Sequence, residues 1–310
     1  MIETARVEEN AHLCRDHLRL TFRAPGLPSA RPGQFVHLRP DDGVRAESAG
    51  SAGESLNTLP HAVDQPAGPL LRRAFSIAGL RRDGEDSLVD VIYRVVGAAT
   101  RWMATLGEGD RLSVLGPAGN AFPIDAQKAD AWLVAGGVGL PPMLWLAEAL
   151  HQAGKRTVAM CGAQSADLLP LTMDQSIAPD KNAREALSAA REFGERGANV
   201  IISTDDGSCG FHGHVGAALE VYHQANPIDP DTLVVYACGP ELMLECVGTY
   251  CLQRGIRCYI CMERSMACGT GLCQSCVVPV RDKADPDGWS YRLCCTDGPV
   301  FDAAEIVWPG

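Results

Sequence analysis

The spacing of apolar and polar positions changes character twice along the chain. In roughly the first 125 residues the runs are short. His17-Leu-Arg-Leu-Thr-Phe22 alternates with period two, Pro25-Gly26 and Pro32-Gly33 interrupt it, and Gln34-Phe-Val-His-Leu38 resumes as a second strand. Leu70–Gly79, Leu88–Val96 and Arg111–Leu115 read as further strands, with Gly107-Glu-Gly-Asp110 as a turn. Many short strands, Gly/Pro turns and almost no helix predict a small antiparallel β-barrel. Residues 41–69 run through Asp, Gly, Ser, Ala and Pro without periodicity and read as a surface insertion.

Beyond Pro123 the pattern is different. Ala131-Trp-Leu-Val-Ala135 is a continuous apolar run, as a strand buried on both faces requires. It enters Gly136-Gly137-Val138-Gly139, then Pro141-Pro142, then an apolar-periodic helix over Met143–Gln152. Thr157–Cys161, Asn199–Ser203 and Leu233–Ala237 repeat the buried-strand pattern, with helices at about 215–224 and 241–254. Strands alternating with helices predict a parallel sheet covered on both faces. Residues 173–197 read as a helical, charged insertion, and from about 256 the chain is cysteine-rich and loop-like. The fold class is therefore multidomain, β plus α/β, divided as 1–125, 126–255 and 256–310.

Composition narrows the function classes. The 310 residues suffice for two sizeable domains and a small module. A net charge of −11 argues against a nucleic-acid partner and against an anionic membrane surface. No run approaches the roughly 18–20 apolar residues of a membrane span. The opening MIETARVEEN lacks the charged-then-apolar pattern of a signal peptide, so a cytoplasmic location is expected. Thirteen cysteines are only about 4% of the chain, short of a disulfide scaffold, so clustered ones read as metal ligands.

The densest cluster is Cys268-Gly-Thr-Gly-Leu-Cys273-Gln-Ser-Cys276, followed at a distance by Cys294-Cys295. Four and then two intervening residues, with a remote fourth thiol, is the spacing of a plant-type [2Fe–2S] site. Gly269 and Gly271 supply the tight turn such a loop needs. A rival reading pairs Cys258-x2-Cys261 with Cys273-x2-Cys276 as a zinc ribbon. It leaves Cys268 and its glycines unused, so Cys258 and Cys261 are read as packing residues. Cys14, Cys161, Cys209, Cys246 and Cys251 read as structural.

Other segments offer nucleotide chemistry. Arg73-Ala74-Phe75-Ser76 sets a cation and a hydroxyl along one strand, within reach of a diphosphate, with an aromatic ring between them to cover a flavin. Alone, Arg72 and Arg73 would be an exposed basic pair beside a core Phe. Ile92-Tyr93-Arg94 leads through Gly97, Ala98 and Ala99 to Thr100, a strand running into a turn that can open a helix toward phosphate. Tyr93 reads equally well as a half-buried core tyrosine. Gly136, Gly137 and Gly139 after a buried strand form a phosphate-cradling candidate, although the full G-x-G-x-x-G is absent. Cys238-Gly239-Pro240 closes another buried strand, where a thiol can contact a nicotinamide. Its bland alternative is a small buried apolar residue. Asp205, at a third strand end, can bind ribose hydroxyls and repel a 2′-phosphate, favouring NAD over NADP, or it is an ordinary Asp-Gly turn.

Together these segments resemble the electron-transfer subunit of class 1B dihydroorotate dehydrogenase, in the ferredoxin-reductase superfamily. The resemblance runs over nearly the whole chain apart from the two insertions. It is carried in order by Arg73–Ser76, Tyr93-Arg-Val-Val-Gly97-Ala-Ala-Thr100, Gly116-Pro-Ala-Gly119-Asn-Ala-Phe122, Ala135–Pro142, Thr204–Ser208, Cys238–Pro240, and finally Met266–Cys276 through Cys295-Thr-Asp-Gly-Pro-Val-Phe301. The last match is the most specific, and it implies Cys295, not Cys294, as the fourth ligand beside Cys268, Cys273 and Cys276. It further implies FAD in the barrel, NAD(H) on the α/β domain, a [2Fe–2S] cluster at 256–310, and a heterotetramer with an FMN-containing catalytic subunit. Ala74, Ala98 and Ala99 stand where the family pattern has proline, lysine and glycine, which alters the flavin segments. Two other readings stand beside this one. The same module can serve a hydrogenase, sulfite reductase or transhydrogenase complex, or the chain can be a non-enzymatic, zinc-stabilised binding module.

Overall fold

The computed structural model describes residues 1–41 and 71–308. The predicted insertion at 41–69 lies outside the described residues from residue 42 onward. The first layer is a seven-stranded antiparallel sheet of β1 (Ile2–Cys14), β2 (His17–Ala24), β3 (Phe35–Pro40), β4 (Arg73–Ser76), β5 (Gly79–Asp83), β6 (Asp86–Arg94) and β7 (Arg111–Ala118), ordered β4-β3-β7-β1-β2-β6-β5. It curls around a core that includes Leu20, Phe22, Ile77, Val89, Val91 and Leu112. Each such side chain contributes about 1.5–3 kcal/mol on leaving water. The curl brings β4 back onto β6, where the rings of Phe75 and Tyr93 meet edge-on at 6.2 Å.

Two expectations need correction here. The opening segment, read only for its charge, is the longest strand among the described residues, and Ala5 and Val7 face inward while polar neighbours face water. The stretch Leu70–Gly79 is not one strand. It breaks at Ile77-Ala78, whose amides turn to Gln34 O and Asp90 O, and β5 then starts afresh at Gly79. Strand β3 has two faces with different roles. Val36 and Leu38 enter the barrel core, whereas Phe35 packs outward with buried residues of the C-terminal segment, including Cys276 and Cys295.

The second sheet runs β11-β10-β9-β8-β12-β13-β16, with β8 (Asp130–Gly136), β9 (Arg156–Ala163), β10 (Ala198–Thr204), β11 (Phe211–His212), β12 (Leu233–Cys238), β13 (Arg257–Cys261) and β16 (Val300–Asp302). All pairs are parallel except β13–β16. After β8 the chain adds β9 and β10 on one side and then β12 and β13 on the other. The topological switch point therefore lies between β8 and β12. Among the described residues five helices accompany the sheets: α1 (Ala98–Met103), α2 (Leu140–Gln152), α3 (Arg191–Gly194), α4 (Val215–Ala225) and α5 (Glu241–Gln253). Pro141 and Pro142 occupy the first turn of α2, where a missing N–H costs nothing.

The 173–197 segment is not helical apart from α3. Asp174 and Asp180 instead take backbone N–H groups of Ser176, Asn182, Arg184 and Glu185 and fold the segment into turns. The segment after 255 is less loop-like than its cysteines suggested. It lends β13 and β16 to the parallel sheet and forms a hairpin of β14 (Val277–Arg281) and β15 (Trp289–Leu293). Asn120, just past β7, ties it to the barrel, donating to Val300 O at 2.8 Å and accepting from Val300 N at 2.9 Å.

Candidate functional site

A cavity of about 490 Å³ opens where the barrel, the switch point and the segment after β13 meet. Most residues picked out for nucleotide chemistry converge on it. Arg73, Ala74, Phe75 and Ser76 of β4 line it, as do Ile92, Tyr93 and Arg94 of β6, Thr100 of α1, Gly139 and Cys238. Ala99 is buried, and Gly136, Gly137, Asp205 and Pro240 do not line the cavity. Gly239 borders a neighbouring cleft of about 320 Å³ with Glu241, Glu263 and Arg264. Phe35, Pro299 and the run Met262–Met266 also line the cavity and escaped the sequence reading. For Phe35 the only signal was its place within the predicted strand Gln34–Leu38, and for Met262 its place just before the cluster loop.

The two cations next to each other in sequence separate in role. Arg72 is spent on structure, donating to Ser113 O and Ser113 Oγ, both at 2.8 Å. Arg73 is exposed and, among the described residues, donates only to the carbonyls of Leu71 and Arg72, so it can turn toward an anion. Arg94 lies 3.7 Å from Asp16. The Thr100 hydroxyl accepts the amides of Val96 at 2.9 Å and Gly97 at 3.1 Å, which builds the turn at the start of α1. Tyr93 donates to Asn10 Oδ1 at 3.1 Å, and burial pushes its phenol up to about 12, so it stays neutral.

At the switch point β8 and β12 end almost in contact. A Cβ on Gly139 would lie 2.0 Å from Cys238 O, so only glycine permits this approach. Cys238 is paired in register with Cys261, and both thiols line the cavity. Of the two carboxylates after β10, Asp206 holds the turn by accepting from Ser208 N and Oγ, while Asp205 is exposed at the strand end.

The cluster loop turns on Gly269 and Gly271, with φ of +70° and +83°. The turn aims amides inward. Cys268 Sγ accepts from Thr270 N and Cys273 N, each at 3.4 Å. Those donors, led by the Cys273 amide, lower the Cys268 thiol to about 6. Cys276 and Cys295 are both free, buried thiols, and they lie close enough to influence each other's ionisation, as does the Gly271 amide on Cys295. Burial raises the Cys295 thiol, and the neighbouring Cys276 thiol adds to the rise. Cys294 is fully buried and donates its S–H to Met262 O at 3.2 Å. Among the described residues no group of three or more His, Cys, Asp or Glu side chains is disposed to hold one ion, and these thiols instead form two adjacent pairs. The zinc-ribbon pairing does not form. Cys258 and Cys261, three residues apart on one strand, point to opposite faces of the sheet, Cys258 toward Cys251 and Cys261 toward Cys238.

The comparisons with known proteins agree with this layout. The electron transfer subunit of dihydroorotate dehydrogenase B (NAD⁺) from Bacillus cereus (strain G9842) is 32% identical over 279 residues, covering 89% of this chain and 86% of that protein. The chain belongs to this family of electron transfer subunits. Residues 263–307 match the iron-sulfur cluster binding domain of dihydroorotate dehydrogenase B. The same subunit from Bacillus anthracis (strain A0248) is likewise 32% identical over 279 residues, with 89% and 86% coverage.

Among solved structures, an NADH-dependent reduced ferredoxin-NADP oxidoreductase matches with a TM-score of 0.72 at 24% identity, covering 98% of this chain and 89% of that one. A ferredoxin NADP⁺ reductase from Neisseria gonorrhoeae matches with a TM-score of 0.58 at 14% identity, covering 86% of this chain and 95% of that one. These two likenesses establish the ferredoxin-reductase-like fold. No helix among the described residues is long and apolar enough to cross a membrane.

Proposed function

We propose that this chain carries electrons between NAD(H), FAD and a [2Fe–2S] cluster, and exchanges them with a separate FMN-containing catalytic subunit that oxidises dihydroorotate. The observation that carries this is the single cavity reached by barrel strands β4 and β6, the switch-point residues Gly139 and Cys238, and the run Met262–Met266 leading into the cluster loop. When bound, the flavin supplies hydride exchange with the nicotinamide and one-electron exchange with the cluster.

The chain's own residues bind and orient. Arg73 and Arg94 offer guanidinium groups to a diphosphate, with Ser76 beside them. Ala74, Phe75, Ile92 and Tyr93 form the apolar wall for a flavin ring, and Thr100, with Ala99 beneath it, shapes the turn toward its phosphates. On the nucleotide side, Gly136, Gly137 and Gly139 keep the turn open to phosphate. Cys238, Gly239 and Pro240 position the nicotinamide, and Asp205 selects a ribose over its 2′-phosphate. The two thiol pairs, Cys268 with Cys273 and Cys276 with Cys295, would each hold one iron, with amides of Thr270, Gly271 and Cys273 directed at the sulfurs. No acid–base catalyst is needed in this subunit.

In this assignment residues 1–125 hold FAD, 126–255 receive NAD(H), and 256–310 hold the cluster while lending two strands to the middle unit. The assembly is a cytoplasmic heterotetramer of two such chains with two catalytic ones. The test is to isolate the chain from its native cells with whatever it binds and to assay dihydroorotate-dependent NAD⁺ reduction. Activity in a complex containing an FMN subunit is expected. A partner that acts on another substrate, such as hydrogen or sulfite, would redirect the assignment.

A further inference from the structure

His37 is the most conspicuous polar side chain that the proposed function leaves without a task. It sits on β3 between Ala74 of β4 and Leu115 of β7, with no exposed surface. Its backbone carbonyl accepts from Arg72 at 3.3 Å, but among the described residues neither ring nitrogen has a hydrogen-bond partner. A buried imidazole with both nitrogens orphaned is costly, and few native side chains tolerate it without a partner that arrives later. Burial and the nearby Arg72 and Arg73 hold the ring well below its usual range, so it is neutral, with one N–H donor and one acceptor.

The ring's direction shows where that partner would be. His37 shares the outward face of β3 with Phe35, whose ring lies 5.5 Å away. On the other side it lies against Gly269, the residue after Cys268. A Cβ on Gly269 would fall 2.7 Å from both Nε2 and Cε1 of His37. The imidazole thus closes the floor of the cluster loop from the flavin side, one strand away from Arg73–Ser76. Gly269 is glycine for two separate reasons, its φ of +70° and this contact.

We propose that His37 is a positioning residue whose ring N–H donates a hydrogen bond to a sulfur of the [2Fe–2S] cluster, and thereby raises the cluster's reduction potential above that of an otherwise identical site. The bond favours the reduced cluster because that state places more negative charge on the sulfurs. It would also fix the cluster loop to the strand adjoining the flavin segment, coupling the two ends of the electron path. This rests on the cluster assignment above.

The experiment compares wild-type protein with H37L and H37Q, all purified anaerobically. Iron and sulfide content are measured first, then the potentials of cluster and flavin by redox titration followed by EPR and absorbance. H37L should keep its iron while the cluster potential falls and the flavin potential stays fixed. H37Q, which restores an N–H of similar reach, should return the potential toward wild type. A purely structural role would lower iron content or move both potentials together. An unchanged cluster potential in fully loaded H37L overturns the inference. If H37L fails to assemble, pulsed EPR on reduced wild-type protein carrying 15N-histidine decides. A weak 15N coupling to the cluster is expected, and its absence overturns the inference. Wild-type protein lacking iron and sulfide would instead overturn the cluster assignment itself.

Discussion

Gly139→Ala perturbs the contact on which the nucleotide side of the cavity depends. The added Cβ would sit 2.0 Å from Cys238 O, 2.2 Å from Cys238 C and 2.6 Å from Gly239 N, all backbone atoms that cannot swing aside. Restoring an ordinary contact of 3.4 Å requires β12 and the α2 turn to separate by 3.4 minus 2.0, or about 1.4 Å. Forced overpacking of this kind costs about 3 kcal/mol. At 2–4 °C per kcal/mol, that corresponds to a fall in Tm of about 6–12 °C. The same displacement moves Cys238 relative to β4, and a misplacement of about 1 Å costs on the order of 100-fold in rate. Flavin content should survive, because β4 and β6 are untouched. The assays are thermal denaturation and stopped-flow reduction of bound flavin by NADH, with Gly137→Ala as control. At Gly137 nothing lies within 4 Å of the added Cβ, and the cost is the left-handed φ of +52° alone, about 1–2 kcal/mol. If Gly139→Ala melts no lower than the control and reduces its flavin at the wild-type rate, the close-approach argument is wrong.

Three further outcomes are expected. Cys295→Ser should lose visible absorbance and iron, whereas Cys294→Ser, whose hydroxyl can still donate to Met262 O, should keep both. The reverse order would mean that the fourth thiol is misassigned. NADH should reduce the flavin faster than NADPH, and Asp205→Ser should narrow the gap, while equal rates in wild type would remove the role given to that carboxylate. Stability of the metal-free chain should fall as pH drops below about 6.5. His17 and His37 are both depressed by burial, His37 to about 4, so the unfolded chain binds more protons than the native one in that window. In urea melts at pH 7.5 and 5.5, His17→Asn should flatten the slope, and an unchanged slope would show that His17 is not held neutral.

How much of this was legible in the sequence depends on how local each signal was. The α/β half was readable because buried strands such as Ala131–Ala135 and the proline-opened helix α2 announce themselves within a few residues. The cluster thiols were legible for the same reason, since spacing and glycines lie within one loop. Strand β1 was missed because its apolar alternation, Ala5 and Val7, is thin among charged residues. Its pairing is secured from outside, by β2, β7 and the Arg23–Glu8 contact at 2.8 Å. Strand β13 was hidden because the cysteine-rich run from about 256 read as loop, whereas Cys258 and Cys261 sit on one strand and face opposite sides of the sheet. In 173–197 the charges suggested a solvated helix, but Asp174 and Asp180 outcompete it by capping turns. Phe35, His37 and Pro299 belong to the site only because the curled sheet and the C-terminal segment bring them there, which no local pattern encodes.

The central claim is that one chain links nicotinamide to an iron–sulfur exit through a flavin. It is tested most directly by adding NADH anaerobically to the purified protein while recording absorbance and EPR together. The account predicts a red-brown protein with about two irons and two sulfides per chain. Its flavin absorbance should bleach on mixing, and the EPR signal of a reduced [2Fe–2S] cluster should then rise. A colourless protein containing zinc, or a cluster that stays oxidised while the flavin is fully reduced, would contradict it.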